Sequence, residues 1–422
     1  MNPDLSLTKP YPFTRLRALL SDSKLPDGIE HISLSIGEPK HAAPEAVIRA
    51  LFDSSKLFEK YPATTGALEL RTAISDWIFR RYGVKTDPLT QILPTNGSRE
   101  ALFSFTQAYI DRCIPAMLNH PYAGRMELLL VNDGSTDGTL KKLNWYAGNF
   151  PETVTVVDKE NGGHGSVINT GIRLAKGRFF KVVDGDDWVV PHNLGRMLHD
   201  LARCSADLAV HPFIKYDSTN KKGKTIRYAG NKNRAVKFDE AAPKLREVEI
   251  HAAAYRTALL REHKVRVREH CFYEDTEYNL FPLPYVETLR VFSYPVSVYR
   301  TGSGTQSVAP KQAFQNRAMH HKIVWDCIGW FEKKEPALSP QKHAYAKRVI
   351  CRLVRSQYML YLKNRITGSQ MEELAAWDRK LQKRSSCFYQ ATNRFPLDVL
   401  RGDIRRMYPP LRRFYQIYAK LP

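Results

Sequence analysis

Cysteine, long apolar runs and acidic side chains are all in short supply in this 422-residue chain. The six cysteines (Cys113, Cys204, Cys271, Cys327, Cys351 and Cys387) lie far apart, with no C-x-x-C pair and no Cys/His cluster. That spacing argues against a zinc site or a disulfide framework and for reduced thiols in a cytosolic compartment. No stretch approaches the roughly 18–20 uncharged apolar residues that span a bilayer. Met1-Asn-Pro-Asp opens no basic-then-apolar leader, so a cytoplasmic protein is expected, soluble or peripheral on the inner face of the membrane. Acidic residues number 43 against 64 Lys and Arg, a net charge of +21.

What is present is otherwise ordinary. Apolar residues make up 43% and charged residues 25%, globular proportions that exclude a disordered or fibrous chain. The length suffices for two or three domains. The excess charge is uneven: residues 1–111 hold 13 basic and 13 acidic side chains, 112–310 hold 28 and 22, and 311–422 hold 23 and 8. Most of it therefore sits in the last quarter.

In the first quarter, residues 44–52 (PEAVIRALF) and 67–81 (ALELRTAISDWIFRR, ended by Gly83) read as amphipathic helices. The short apolar run 91–93 feeds Pro94-Thr-Asn-Gly-Ser98 and a third helix. Such a turn at a helix N-terminus can cradle a phosphate.

From residue 109 the pattern changes to strand, polar turn, helix. Residues 126–131 (MELLLV) read as a strand ending at Asn132-Asp133, 153–157 as a second, and 178–183 as a third that ends at Asp184-Gly-Asp186-Asp187. A helix over 166–176 is stopped by Gly177. Alternation at this spacing predicts an α/β fold, a doubly wound and mostly parallel sheet, with ligands beyond the strand C-termini.

The sharpest local feature is Asp184-x-Asp186. Two carboxylates two residues apart repel unless a cation or donors offset the charge, and a hard ion such as Mn2+ or Mg2+ commonly bridges carboxylates to a substrate's phosphates. A solvated acidic turn has the same sequence. Asp133 either caps the following helix or joins Asp184 in one crevice. Glu274-Asp275 either favours a helix dipole or supplies a proton acceptor for an attacking hydroxyl.

Two resemblances attach to these residues. ISLSIGEP (32–39), YPATTGALELRTAISDW (61–77) and ILPTNGSREALFSFTQA (92–108) resemble the N-terminal part of a pyridoxal-phosphate-dependent class I/II aminotransferase of the succinyldiaminopimelate transaminase type, in which Gly97 and Ser98 would meet the cofactor phosphate. No downstream segment resembles that family's Schiff-base lysine or pyridinium-pairing aspartate, so pyridoxal phosphate is not expected to be used. ELLLVNDGSTDGT (127–139), the 160–189 stretch, YEDTEYNL (273–280) and SVYRTGSGTQS (297–307) resemble glycosyltransferase family 2, with the GT-A fold. That resemblance implies transfer of a sugar from a nucleotide-diphosphate donor, with inversion and metal assistance, to a saccharide or lipid-linked acceptor. Carried over by position, Asp133 would contact the nucleotide, Asp184 the ribose or metal, and Asp186 the metal. Asp275 would be the general base, with Arg300 and Ser307 near the diphosphate or acceptor.

The family's usual first strand, of the type V-S-V-I-V-P-x-Y-N, is absent where residues 98–108 stand, and Tyr109 reads as the junction of two incomplete parts. Residues 32–36 are apolar enough to replace that strand. The resulting division is a transaminase-like fragment over 1–108, a GT-A domain over 109–310 and a basic helical region over 311–422. In the last, residues 344–362 interleave Lys/Arg with apolar and aromatic positions, which reads either as a solvated helical subdomain or as a surface for anionic headgroups. No recognised nucleic-acid module accompanies the charge. The competing functional readings are an aminotransferase and an inactive fusion that only binds.

Overall fold

A computed structural model of the chain describes residues 16, 18–21, 28, 41–56, 63–95, 110–229, 234–302 and 310–418. The stretch 32–36, Gly97, Ser98, Tyr109 and Ser307 lie outside the described residues. The chain divides into two compact units, Met1–Pro94 and Thr95–Pro422.

In the first unit the two expected helices form one residue later than their spacing predicts, at Glu45–Asp53 and Leu68–Tyr82. Gly83 ends the second with φ 68°, a left-handed conformation that glycine adopts without a Cβ penalty. The returning chain is pinned to this helix where the Ser75 hydroxyl donates to the Thr86 carbonyl at 2.7 Å.

The second unit is an α/β structure. A helix over 110–118 precedes β1 (Leu128–Asp133), which pairs in parallel with β2 (Val154–Lys159). Then come β3 (Phe179–Phe180), β4 (Trp188–Val189), β5 (Leu208–Val210), β6 (Phe213–Asp217), β7 (Lys222–Ile226), β8 (Val236–Lys237), β9 (Ala253–Arg256), β10 (Thr288–Val291) and β11 (Ser297–Thr301). Among the described residues they make three sheets, ordered β1-β2, β3-β9-β5-β10-β8 and β4-β11-β6-β7. Parallel pairs (β1/β2, β5/β10, β6/β11) occur beside antiparallel ones, so the pairing is more mixed than strand–helix alternation predicts. One antiparallel pair is local in origin: β6 returns directly as β7 through residues 218–221, a connection too short for the crossover that parallel neighbours need.

The third strand covers two residues where six were expected. Residues 181–184 continue toward the acidic turn without joining a ladder.

The basic C-terminal residues are part of this unit and share its core. Pro340 sits at the first position of the helix Pro340–Leu362, and the Ser339 hydroxyl accepts from the Lys342 amide at 3.2 Å. Tyr345, Val349, Ile350, Val354, Tyr358 and Tyr361 all point inward. Tyr345 packs edge-on against Phe238 and its hydroxyl accepts from the Val248 amide at 3.0 Å. Each such aliphatic side chain contributes roughly 1.5–3 kcal/mol by leaving water. The apolar face of residues 344–362 is therefore committed to the core, and only its charged face remains on the surface. Part of the basic charge is internal as well: Arg401, buried, donates from Nε to Asp378 at 3.1 Å and stacks 3.9 Å over Tyr389.

Among the described residues no helix is long and apolar enough to cross a membrane.

Candidate active site

The acidic turns converge on one side of the second unit. β1 delivers Asp133, whose Oδ1 accepts from Lys159 Nζ at 2.6 Å and the Gly162 amide at 2.9 Å, while Oδ2 accepts from the Gly163 amide at 2.8 Å. Partial burial alone would raise this carboxyl. The Lys159 ammonium and the two amides outweigh it and hold Asp133 below the ordinary carboxylate range. Asp133 thus fixes the Gly162-Gly163 turn.

That turn needs glycine. Gly163 has φ 78°, and a Cβ on Gly165 would lie 1.9 Å from the Arg268 carbonyl oxygen. The close approach seats the helix His164–Leu174 against residues 267–271 and presents His164 at its first position.

His164 joins the two acidic motifs. Its Nδ1 is 2.6 Å from Glu274 Oε1 and its Nε2 is 3.0 Å from Asp184 Oδ1. Burial would lower the imidazole's pKa, but hydrogen bonds to Asp184 and Glu274, with the charges of Asp184 and Asp275, push it up to about 11. A charged imidazolium therefore holds Asp184 in its ionised form, against the cost of burial. Sequence reading did not single out His164, because its partners lie 20 and 110 positions away. Its one local signal is its place in a glycine turn between a strand and a helix.

Asp186 follows on the turn closed by the Asp187 amide and the Asp184 carbonyl, 3.0 Å apart. Its Oδ2 accepts from Arg300 Nη2 at 2.7 Å, so Arg300, on β11, faces the carboxylate pair. The Arg300 amide donates to Asp187 Oδ1 at 2.8 Å. Asp187 is buried, and its carboxyl is pushed up to about 8 by burial and by the neighbouring Asp184 charge.

Glu274 and Asp275 open the helix Asp275–Leu280. Asp275 faces open space yet is enclosed enough by protein to be desolvated. Burial raises its carboxyl, the His164 charge pulls it down, the Glu274 and Asp184 charges add to the rise, and it is pushed up to about 7.

Asp184, Asp186, His164, Glu274 and Asp275 all line one cavity of about 1110 Å³. Asp133 lies outside its lining, one turn away behind Gly163. Lys181 lines it too, with its ammonium 2.5 Å from the His251 carbonyl oxygen and burial lowering its pKa to about 7.

The donor set suits a hard divalent cation. Within this cavity the buried Oε2 of Glu274 has no hydrogen-bond partner among the described residues, an arrangement a cation would relieve. His164, Glu274 and Asp275 lie with their polar atoms within 4.8 Å of one another, but His164, charged and held between two carboxylates, acts there as a counter-charge and not as a ligand.

Comparison with known proteins finds two families on the chain, with matches that overlap at residues 103–122. Residues 103–264 match the family model described as Glycosyl transferase family 2, and residues 29–122 match Aminotransferase class I and II. The LL-diaminopimelate aminotransferase of Desulforudis audaxviator is 34% identical over 104 residues, which are 24% of this chain and 26% of that protein. The hyaluronan synthase of Pasteurella multocida is 40% identical over 83 residues, 20% of this chain and 8% of that protein. The chain thus spans about a quarter of the curated aminotransferase and under a tenth of the synthase. Among solved structures, S. aureus TarS 1-349 in complex with UDP-GlcNAc aligns with a TM-score of 0.53 at 16% identity, covering 74% of this chain and 88% of that one. This last likeness establishes the fold, a GT-A-like α/β unit with a helical C-terminal region.

Proposed function

We propose, from a central domain that belongs to glycosyl transferase family 2, that this chain transfers a sugar from a nucleotide-diphosphate donor to an acceptor hydroxyl. The observation that carries the reading is the meeting of Asp184, Asp186, Glu274 and Asp275 on one cavity, although about 90 residues separate the two pairs. A saccharide or lipid-linked acceptor in polysaccharide synthesis is part of the same proposal, supported by the similarity to a hyaluronan synthase. So is a peripheral contact between the Lys and Arg residues of 311–422 and anionic headgroups, since the apolar face of residues 344–362 is already buried.

In this reading Asp275 accepts the proton of the acceptor hydroxyl as that oxygen attacks the anomeric carbon, and the nucleoside diphosphate departs from the opposite face with inversion. A carboxyl near 7 is poised for that proton at neutral pH. His164 holds Asp184 and Glu274 in place and keeps Asp184 ionised. Asp184 and Asp186 would hold a Mn2+ or Mg2+ ion, whose charge offsets that developing on the leaving diphosphate. Arg300, 2.7 Å from Asp186, adds a fixed positive charge beside the same phosphates. Asp133, through Gly162 and Gly163, shapes the turn beside the donor and is proposed to act from there on the nucleotide. Ser307 is assigned with Arg300 to the diphosphate or acceptor side on sequence grounds.

Incubation of the chain with a panel of UDP- and GDP-sugars, Mn2+ and short oligosaccharide or lipid acceptors tests the proposal. Release of nucleoside diphosphate that depends on both acceptor and Asp275 supports it. An internal-aldimine absorbance band on adding pyridoxal phosphate would instead favour the aminotransferase reading of the N-terminal fragment.

A further inference from the structure

The acidic pair Glu274-Asp275 hangs from a strained segment. His270 and Tyr273 both have left-handed backbones, with φ 51° and 77°, although neither is glycine. Such conformations are costly for a residue with a Cβ and persist only where the surrounding contacts fix them. Whatever fixes this segment therefore also places Asp275.

On one side stands the glycine turn. The His270 amide donates to the Gly162 carbonyl at 2.7 Å, and the Arg268 carbonyl packs against Gly165. On the other side stands the helix Arg317–Lys334. Its Asp326 accepts from Arg268 Nε, and its Met319 carbonyl accepts from the Cys271 thiol at 3.7 Å. Its His320 ring meets Tyr273 edge to face, with centroids 5.0 Å apart and planes at 73°. One helix thus holds positions 268, 271 and 273.

His320 is in turn fixed from behind. It is 4% exposed, with Nδ1 2.6 Å from Gln357 Oε1 and Nε2 2.7 Å from Ser356 Oγ, both on the helix Pro340–Leu362. Burial lowers its pKa to about 4, so the ring is neutral. An amide oxygen only accepts, so Nδ1 carries the proton and the Ser356 hydroxyl donates to Nε2. The ring cannot turn away from Tyr273 without leaving a buried polar group unpaired, a cost of the same order as the backbone strain that it restrains.

We propose, taking Asp275 as the general base, that His320 is a positioning residue for it, acting through the Tyr273 ring to hold the left-handed turn that presents the acidic pair to the cavity. Tyr273 immediately precedes that pair and lines the same cavity. The helices Arg317–Lys334 and Pro340–Leu362, which lie beyond the family match at 103–264, then belong to the catalytic apparatus.

Hydrogen exchange and initial rates on the full chain test this. The Tyr278 amide donates to the Glu274 carbonyl at 2.9 Å and reports on the start of the helix Asp275–Leu280. His320→Ala should speed its exchange about tenfold while the amides of Leu208–Val210 keep their protection. In turnover His320→Ala should lower kcat about ten- to a hundredfold and leave the donor KM within about twofold, because the base is displaced and Asp184 and Asp186 are not. His320→Phe, which keeps a ring beside Tyr273, should recover both to within about threefold. Leu400→Ala, a cavity elsewhere in the same helical region, should change neither. If His320→Ala does not fold, Tyr273→Gly decides, since glycine keeps φ 77° without the ring. It should show the same faster exchange and lower kcat. Unchanged Tyr278 exchange in the deciding variant, a raised KM at constant kcat, His320→Phe no better than His320→Ala, or equal losses in Leu400→Ala would each overturn the assignment. A chain that turns over no donor defeats the reading of Asp275 instead, and the exchange comparison still decides whether His320 holds the turn.

Discussion

Arg300 Nη2 stands 2.7 Å from Asp186 Oδ2, so the carboxylate proposed to hold a cation already has a guanidinium beside it. Arg300 is held on β11, and its own backbone amide is tied to Asp187. Any ion on Asp186 must share it with this fixed charge. Arg300→Met should therefore tighten Mn2+ binding to the donor-free protein by about tenfold, since a positive charge a few ångströms away weakens cation binding by an energy of that order at a partly exposed site. Titration of free Mn2+ followed by electron paramagnetic resonance measures it. The same substitution should weaken donor binding, because the diphosphate loses a cationic neighbour.

The pH dependence of turnover reports on Asp275. A general base acts in its ionised form, so turnover should climb about tenfold per pH unit below about 7 and level off above it, following a carboxyl pushed up to that value. Asp275→Asn should lose this limb and lower the rate about a hundred- to ten-thousand-fold, with donor affinity little changed. Initial rates between pH 5 and 9 for both proteins decide it.

Gly165→Ala should disturb the site without touching a charge. The new Cβ would fall 1.9 Å from the Arg268 carbonyl oxygen, so the helix His164–Leu174 or the 267–271 segment must move. A loss of about 1–3 kcal/mol is expected from such overpacking. Urea unfolding gives the stability change, and donor titration shows whether His164 still holds Asp184.

In the C-terminal region Asp378 and Arg401 form a buried pair, with the Tyr358 hydroxyl on the same carboxylate. Removing one partner leaves an uncompensated charge. Arg401→Ala should cost about 3–5 kcal/mol, while Arg379→Ala should cost little. Midpoints of urea unfolding compare the two.

These cases also show what the amino-acid order made legible. The Asp184-x-Asp186 turn, Glu274-Asp275 and the helices at 44–52, 67–81 and 344–362 were readable because each depends on neighbours a few positions away. His164 was not, since what gives it a role is contact with carboxylates brought in from positions 184 and 274. Arg401 gave no sign of its buried pairing, because nothing near it in sequence announces Asp378 across a helix pair. The third strand was read too long: 178–183 has strand composition, but β9 pairs with only two of its residues. Asp133 reads from the sequence as a nucleotide contact, and its carboxylate is engaged with Lys159 and the glycine turn, a pairing that no spacing rule foretells.

Calorimetric titration of UDP- and GDP-sugars into the full chain, with and without Mn2+ and repeated with Asp186→Ala, decides whether this site binds a sugar nucleotide through a metal. At least one donor should bind in the presence of Mn2+, binding should weaken at least tenfold without it, and Asp186→Ala should remove the metal dependence. If no donor binds under either condition, or if Asp186→Ala binds with unchanged metal dependence, the chain is not the glycosyltransferase described here.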